Sequence, residues 1–378
     1  MLKSFVDACV AFVIGAGGGA VFYAIGAPLP WTLGSLAAMA LVAIAGGPWL
    51  MPAPVRELAR PVVGVLAGSA FTPAVVASIG EWWSAIVFVA VYTVIVSAMG
   101  WLFFRKLCRI DPVTAFFASA PGGLGELTLL GGALGGSMRA LVTIHAVRIV
   151  VVVFTVPFFL QWLLGSELLG ATLPTHGAQN AVLLDWLLLI GCGVAGYLAA
   201  KLMKLAGGSM ILAMLLSAGV HGTDLTSILP PGWLVAAVQV VIGAVAGARF
   251  AGIRWLELRN TVVQAVIWVC VLLLTTVGAA AVGAVLFARP FAALVLALAP
   301  AGMAEMTIMA YALGIETAFV VTSQLCRVFF VLTFAPMFFR IFGIAPATPV
   351  TPSLPDPAKG GRALGGRALG GPDDPRPD

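Results

Sequence analysis

The chain has 378 residues, of which 61% are hydrophobic and 9% are charged, and its formal net charge is +5. Soluble domains carry roughly 25% charged residues, so this composition excludes a water-soluble fold and indicates a membrane protein. Nucleic-acid binding is disfavoured, because the sequence has no basic face with interleaved aromatic residues. The five cysteines are scattered without a Cys-x-x-Cys pair, so we expect neither a disulfide framework nor a metal site.

Apolar segments of about 20 residues, the length of a transmembrane helix, follow one another along the chain. In the first half they lie near 5–26, 31–50, 57–78, 82–104, 113–135 and 139–164. In the second half they lie near 183–203, 206–221, 232–251, 260–287, 291–314 and 317–341. The predicted parts of the chain are a first membrane repeat at 1–165, an outer loop at 166–182, a second membrane repeat at 183–344 and a tail at 345–378. Because the Pro-rich tail cannot bury enough apolar surface to fold, we expect it to be disordered.

A helix-breaking element with a carboxylate interrupts one apolar segment in each half. Residues 120–128 read APGGLGELT, and residues 299–307, which lie 179 positions later, read APAGMAEMT. Water cannot satisfy freed backbone groups in the hydrocarbon core, so such a break is stable only when it is buried in protein or lines a wet cavity. An ionisable residue at that depth predicts a functional site. The residues at the two breaks are Pro121, Gly122, Gly123, Pro300 and Gly302.

The two halves match without gaps at this constant offset of 179 residues, from about 30–165 against 209–344. Matches of Gly and Ala are common by chance in so biased a composition, but matches of Pro, Glu, Thr and Arg are not. We therefore interpret the pattern as an internal duplication. Matched pairs outside the breaks are Gly64 with Gly243, Gly68 with Gly247, Phe71 with Phe250, Thr143 with Thr322, Arg148 with Arg327 and Pro157 with Pro336.

The distribution of Lys and Arg indicates how the two halves are oriented. If 113–135 and 291–314 are hairpins that return to the side they entered, each half crosses the membrane five times and the halves are inverted. Nearly all loop cations then lie on one side, with Arg289 as the exception, and this bias identifies the cytoplasmic side. The predicted fold is an all-α polytopic membrane protein with two inverted-topology repeats, about ten transmembrane helices and two re-entrant or broken helical hairpins. Both termini are predicted to be cytoplasmic.

Glu126 and Glu305 follow the two breaks, in the first turn of the second half-helix. One interpretation is a proton or cation site, with half-helix N-termini supplying complementary anion sites, as in inverted-repeat transporters. The other is a first-turn carboxylate that compensates its own helix terminus, as in a capping box. We favour the functional interpretation, because burying two charges at membrane depth is costly.

Further polar residues surround the breaks. The hydroxyl groups of Thr128 and Thr307 could coordinate an ion or substrate, or could satisfy backbone carbonyls that the break exposes. Arg148 and Arg327 lie too deep to reach the interface; each could pair with the Glu of either repeat or bind an anionic substrate group. His145 could relay protons or make one hydrogen bond to a neighbour, whereas His221 is predicted to be solvated.

The duplicated break, followed by Thr-x-x-x-x-Arg at 143–148 and 322–327, resembles the bacterial AbrB membrane-protein family. The likeness covers nearly the whole chain before the tail, and the second copy departs from the pattern at Ala301 and Ala304. It implies a location in the bacterial inner (plasma) membrane. Members are named as transcriptional regulators or as ammonia monooxygenases. An oxygenase needs several convergent His or carboxylate ligands, whereas this chain has three His in all, so we expect no enzyme and no cofactor.

The sequence therefore favours a secondary-transporter-like protein that moves a small polar solute, coupled to protons or a cation, with its site at the paired hairpin tips. The alternative is a membrane-embedded sensor that affects gene expression indirectly, without transport. The expected partners are the solute, the coupling ion and the lipid bilayer, with no nucleic acid; a homo-oligomer is left open.

Overall fold

The computed structural model describes residues 2–49, 51–122, 124–165, 182–203, 208–251 and 255–341. Gly123, the predicted tail and all but the last residue of the predicted outer loop lie outside these ranges. The first half contains α1 (Leu2–Ala24), α2 (Pro30–Ile44), α3 (Ala53–Gly68), α4 (Pro73–Ser78), α5 (Trp83–Leu102), α6 (Pro112–Ser119), α7 (Leu124–Ala133) and α8 (Met138–Leu164). The second half contains α9 (Leu183–Leu202), α10 (Gly208–Gly222), α11 (Gly232–Gly247), α12 (Trp255–Phe287), α13 (Phe291–Leu298), α14 (Met303–Ala312) and α15 (Thr317–Ile341).

Helices account for all the regular structure in the described ranges, which confirms the predicted all-α polytopic membrane protein. Seven of the described helices are long and apolar enough to cross a membrane, and α2 and α10 are shorter apolar helices. The predicted segment at 57–78 is wrong, since α3 ends at Gly68 and α4 begins at Pro73. The new helix starts there because Thr72 accepts a hydrogen bond from the Val75 N–H at its N-terminus and Pro73 has no N–H to continue the earlier helix.

Corresponding helices of the two halves begin at the same offset along the chain. The starts of α3, α6, α7 and α8 at residues 53, 112, 124 and 138 correspond to those of α11, α13, α14 and α15 at residues 232, 291, 303 and 317. The short connections and breaks are therefore duplicated as well as the apolar segments, as expected for an internal duplication.

Four helices, α2, α3, α10 and α11, pack in a row in the order α2, α11, α3, α10 and are called the central helices below. Gly64 and Gly68 of α3 lie against the backbone of Met210 and Met214 in α10. Their counterparts Gly243 and Gly247 of α11 lie in the same way against the backbone of Thr32 and Leu36 in α2. Because residue numbers rise together in both contacts, α3 runs parallel to α10 and α11 runs parallel to α2. Glycine at these positions allows the close backbone approach that is common between membrane helices.

The counterpart helices α3 and α11 run antiparallel to each other. Ala59 shares a buried cluster with Val241 and Ala244, Val63 with Val238 and Ile242, and Leu66 with Val235. Along α3 the residue numbers rise while those of the partners on α11 fall. The same structural element of the two halves thus points in opposite directions where α3 and α11 pack together.

Both broken segments fold back as hairpins. In hairpin 1 (α6 and α7), the Ser137 N–H beyond α7 donates to Thr114 Oγ1 in α6 at 2.7 Å, and Gly131 packs against Phe117. In hairpin 2 (α13 and α14), Arg289 before α13 donates to Glu316 after α14 at 3.1 Å. The two ends of each segment lie side by side, so each segment returns towards its starting side. The first arm of each hairpin has 8 residues, about 12 Å of helix, which is long enough to extend from one surface to about the middle of a ~30 Å hydrocarbon core.

Candidate functional site

Arg148 of α8 holds the tip of hairpin 1. Its Nη1 donates to the carbonyl of Ala120 at 2.9 Å, and its Nη2 donates to the carbonyl of Gly122 at 3.2 Å. These carbonyls follow the end of α6, where no helical N–H is available to them. The guanidinium is buried, so the fork of donors replaces the water that the backbone cannot reach at this depth.

Arg327 of α15 does the same for hairpin 2. Its Nη1 donates to the carbonyls of Leu298 and Ala299 at 3.2 and 2.8 Å, and its Nη2 donates to that of Ala301 at 3.4 Å. Pairing with a glutamate was one of the two roles considered for Arg327. Its described partners are instead these carbonyls and Gln324. Sequence reasoning missed this role, because it matched each charge to a charge and left out the carbonyls of the break.

Gln324 and its counterpart His145 line the first arm of each hairpin. The Gln324 amide donates to the Leu296 carbonyl at 2.6 Å and accepts from Arg327. His145 is fully buried beside the backbone of Phe117, the counterpart of Leu296. His145, for which the sequence left open a proton relay or one hydrogen bond to a neighbour, therefore occupies the same place as a glutamine that supports backbone.

Glu305 lies at the N-terminus of α14, where both the helix terminus and a cationic side chain are close to it. Its carboxylate sits over Gly302, the N-cap residue, so closely that a Cβ at residue 302 would overlap it. The helix terminus stabilises a negative charge at this point. A cation also approaches: Arg249 Nη1 lies 3.6 Å from Glu305 Oε1, and the Glu305 side chain is nearly buried. The Glu126 backbone lies at the equivalent place in α7, and its side chain is outside the described atoms.

The hydroxyl groups around the tips divide between the two predicted roles. Thr307 Oγ1 donates to the Met303 carbonyl at 2.7 Å, and Ser119 Oγ donates to the Phe116 carbonyl at 2.7 Å, so both satisfy backbone. Thr128 is equally buried, but its hydroxyl has no hydrogen-bond partner among the described residues. Thr128 is therefore the hydroxyl that is available to a ligand or an ion.

Arg249 is the residue of the site that sequence analysis missed. It lies in the 3₁₀ turn Ala248–Phe250 at the end of α11, and it was counted only as a loop cation. The signal was present: Gly247 and Phe250 match their counterparts in the first half, whereas the counterpart of Arg249 is Ala70. A charge that only one repeat carries, next to matched positions, indicates a feature that the two repeats do not share.

The two hairpins contact the central helices unequally. Ile308 of α14 is 1% exposed, and it shares a buried cluster with Val63 and Ile242. Its counterpart Leu129 of α7 is 66% exposed. Val63 and Ile242 are themselves counterparts, 179 residues apart, so hairpin 2 packs on a symmetric apolar pair whose buried cluster contains no described residue of hairpin 1.

Two other features are separate from the tips. An apolar cavity of about 300 Å³ lies between α3, α9 and α11, and it is lined by Pro61, Trp186 and Tyr197 among others. His221, predicted to be solvated, is instead buried, with Nδ1 2.8 Å from the Ser217 carbonyl and Nε2 3.1 Å from the Ile228 carbonyl. That prediction is wrong because the segment after α10 folds back over its last turn.

The fold and the tips together define a polytopic helical membrane protein in which each of two matched halves carries a broken, arginine-held hairpin. The chain belongs to the AbrB family: the family model described as "Transition state regulatory protein AbrB" matches residues 31–343.

Two relatives match nearly their whole length. The protein YhjN of Bacillus subtilis (strain 168), whose name describes it as uncharacterized, is 24% identical over 358 residues, which cover 87% of this chain and 91% of YhjN. A protein of Escherichia coli (strain K12) that is named as a proposed regulator, AbrB, is 23% identical over 322 residues, which cover 84% of this chain and 91% of that protein. No solved structure matches this chain significantly.

Proposed function

We propose that this protein is a secondary-transporter-like membrane protein that moves a small polar solute, coupled to protons or a cation, through a site at the two hairpin tips. The observation that carries the proposal is the unequal seating of two matched hairpins on one symmetric pair, Val63 and Ile242. If either of the two similar hairpins can pack on the same apolar pair, the protein has two states of similar energy. A protein with such a pair of states can expose a central site to one side of the membrane and then to the other.

The second state follows from exchanging the roles of the repeats. Ile308 leaves the pair, and Leu129, which is also a large aliphatic residue, takes its place. Both side chains bury similar apolar area on the same pair, so the exchange requires no new kind of contact. The tips carry the ionisable groups, and they move with the hairpins.

The orientation of the halves supports the same proposal. The antiparallel packing of α3 and α11 and the return of both hairpins favour five crossings in each half with inverted topology. The Lys and Arg bias of the loops, taken with this arrangement, supports our proposal that both termini are cytoplasmic and that the protein lies in the inner membrane of a bacterial cell.

The direct test is transport by purified protein in liposomes. An imposed pH gradient is expected to drive accumulation of at least one component of a deproteinised metabolite extract, measured by mass spectrometry, because a carboxylate at membrane depth couples proton and solute binding. Glu126→Gln and Glu305→Gln are each expected to abolish this accumulation and to leave insertion intact. Glu81→Gln changes an exposed glutamate in the turn before α5 and serves as the matched control. Accumulation that is unchanged in both tip variants would refute the coupling role.

A sensor that binds the solute without moving it is the second candidate, because the Escherichia coli relative is named as a regulator. For this candidate, the same liposomes would retain extract components on the protein and show no accumulation inside. We propose no enzymatic activity: the chain has three histidines, and His145 and His221 lie against backbone rather than beside each other.

A further inference from the structure

Arg249 gives the site a cation that has no counterpart. Its Nη1 lies 3.6 Å from Glu305 Oε1 of hairpin 2. The turn that carries it also packs against α8, so Arg249 is within electrostatic reach of His145 and Arg148 at hairpin 1. It therefore lies between the two tips. The equivalent residue of the other repeat is Ala70, so the fold that the two repeats share does not require a charge at this position.

The buried guanidinium atoms that lack partners at the tips are all donors. Arg148 Nε, Arg327 Nε and Arg249 Nη1 are buried and have no hydrogen-bond partner among the described residues. A guanidinium N–H donates and cannot accept. A buried donor without a hydrogen-bond acceptor is destabilising. The hydroxyl of Thr128, also without a partner, can serve as a fourth donor. The group that would satisfy these atoms is an acceptor.

The charges at the tips lead to the same conclusion. The sequence has three arginines, Arg148, Arg249 and Arg327, against two glutamates, Glu126 and Glu305, at or beside the two breaks. The C-terminal carbonyls of α6 and α13 accept from Arg148 and Arg327, and the N-terminus of α14 is opposed by Glu305. One positive charge is left over, and an excess charge in a low-dielectric interior is stabilised by a counter-charge.

We infer that the solute is a small oxyanion with one negative charge, such as a monocarboxylate, and that Arg249 is its counter-charge. This inference rests on the proposed function for the location of the site. Planar carboxylate oxygens match the fork of a guanidinium, so Arg249 can bind them while it remains close to Glu305. The second repeat thereby supplies the charge that selects the solute, and hairpin 1 supplies the free hydroxyl.

The test uses the full-length protein and four probes: sodium lactate, inorganic phosphate, choline and glycerol. Thermal stability in detergent measures binding, and uptake of the labelled probe by liposomes measures transport. Lactate or phosphate is expected to stabilise the wild type, because a ligand that binds only the folded protein raises its stability. Arg249→Gln is expected to weaken that binding by about tenfold or more, since a charge-assisted hydrogen bond is lost. Arg249→Lys keeps the charge and is expected to retain part of it.

A double variant separates selection of an anion from a structural ion pair. If Arg249 only neutralises Glu305, then Arg249→Gln with Glu305→Gln restores binding to the wild-type level, and the inference is overturned. Binding that stays weak in the double variant supports it. Uptake of choline or glycerol without uptake of lactate or phosphate would overturn the inference of an anionic solute and would agree with transport. Binding of lactate or phosphate without any uptake would agree with an anionic ligand and would contradict transport. No binding and no uptake of any probe overturns both.

Discussion

Replacing Arg148 by leucine is expected to destabilise the folded protein by about 1–3 kcal/mol, and replacing Arg327 by about 2–6 kcal/mol, because the changes leave one and two buried carbonyls without a described donor. The affected carbonyls are that of Gly122 for Arg148, and those of Leu298 and Ala301 for Arg327; the carbonyls of Ala120 and Ala299 keep the N–H donors of Gly122 and Ala301. Lysine is expected to give an intermediate loss. Its single ammonium group cannot span carbonyls that the planar guanidinium fork reaches together.

Loss of monomeric protein after heating in detergent, followed by size-exclusion chromatography, measures this effect. Arg139→Leu is the matched control, since Arg139 is an exposed arginine in the first turn of the same α8 helix. The control is expected to change stability by about 0.5 kcal/mol or less. Wild-type stability in both Arg148→Leu and Arg327→Leu would show that the tips do not depend on these arginines.

Alanine at two matched positions is expected to have different effects on stability and the same effect on transport. Ile308→Ala removes a side chain that is buried against Val63 and Ile242, at a cost of about 2–5 kcal/mol. Leu129→Ala shortens an exposed side chain and is expected to leave stability unchanged. Both variants are expected to slow uptake by about tenfold or more, because each weakens the seating of one hairpin in one of the two states.

The combination of the two measurements decides between two accounts of the asymmetry. If hairpin 1 is permanently unseated, Leu129→Ala transports as well as the wild type. If the hairpins exchange, the variant is as stable as the wild type and is nevertheless slow. Heat stability in detergent and initial uptake rates in liposomes give the two values.

Much of the architecture could be predicted from the sequence because the duplication repeats its least common residues. Pro and Gly at both breaks predict interrupted helices, since proline cannot continue a helix and glycine has little preference for one. The depth of Arg148 and Arg327 along their helices predicts that they are buried. Their partners were not predicted, because a sequence shows which side chains carry charge but not which carbonyls lose their helical donor.

The differences between the repeats are what the sequence could not show. Leu129 and Ile308 are both large aliphatic residues, so no pattern predicts that one is exposed and the other buried. The contact of Arg249 with Glu305 joins residues 56 positions apart through the packing of α11 on hairpin 2. Such contacts depend on the three-dimensional packing of the two halves, which the sequence pattern alone does not show.

Disulfide cross-linking in membranes tests most directly whether both hairpins can pack on the same apolar pair, Val63 and Ile242. The five native cysteines are replaced, and cysteines are introduced in pairs at residues 308 and 242 or at their counterparts 129 and 63. We predict that both pairs cross-link under mild oxidation and that either cross-link stops uptake until it is reduced. Cross-linking of the first pair together with no cross-linking of the second would contradict the exchange of the hairpins.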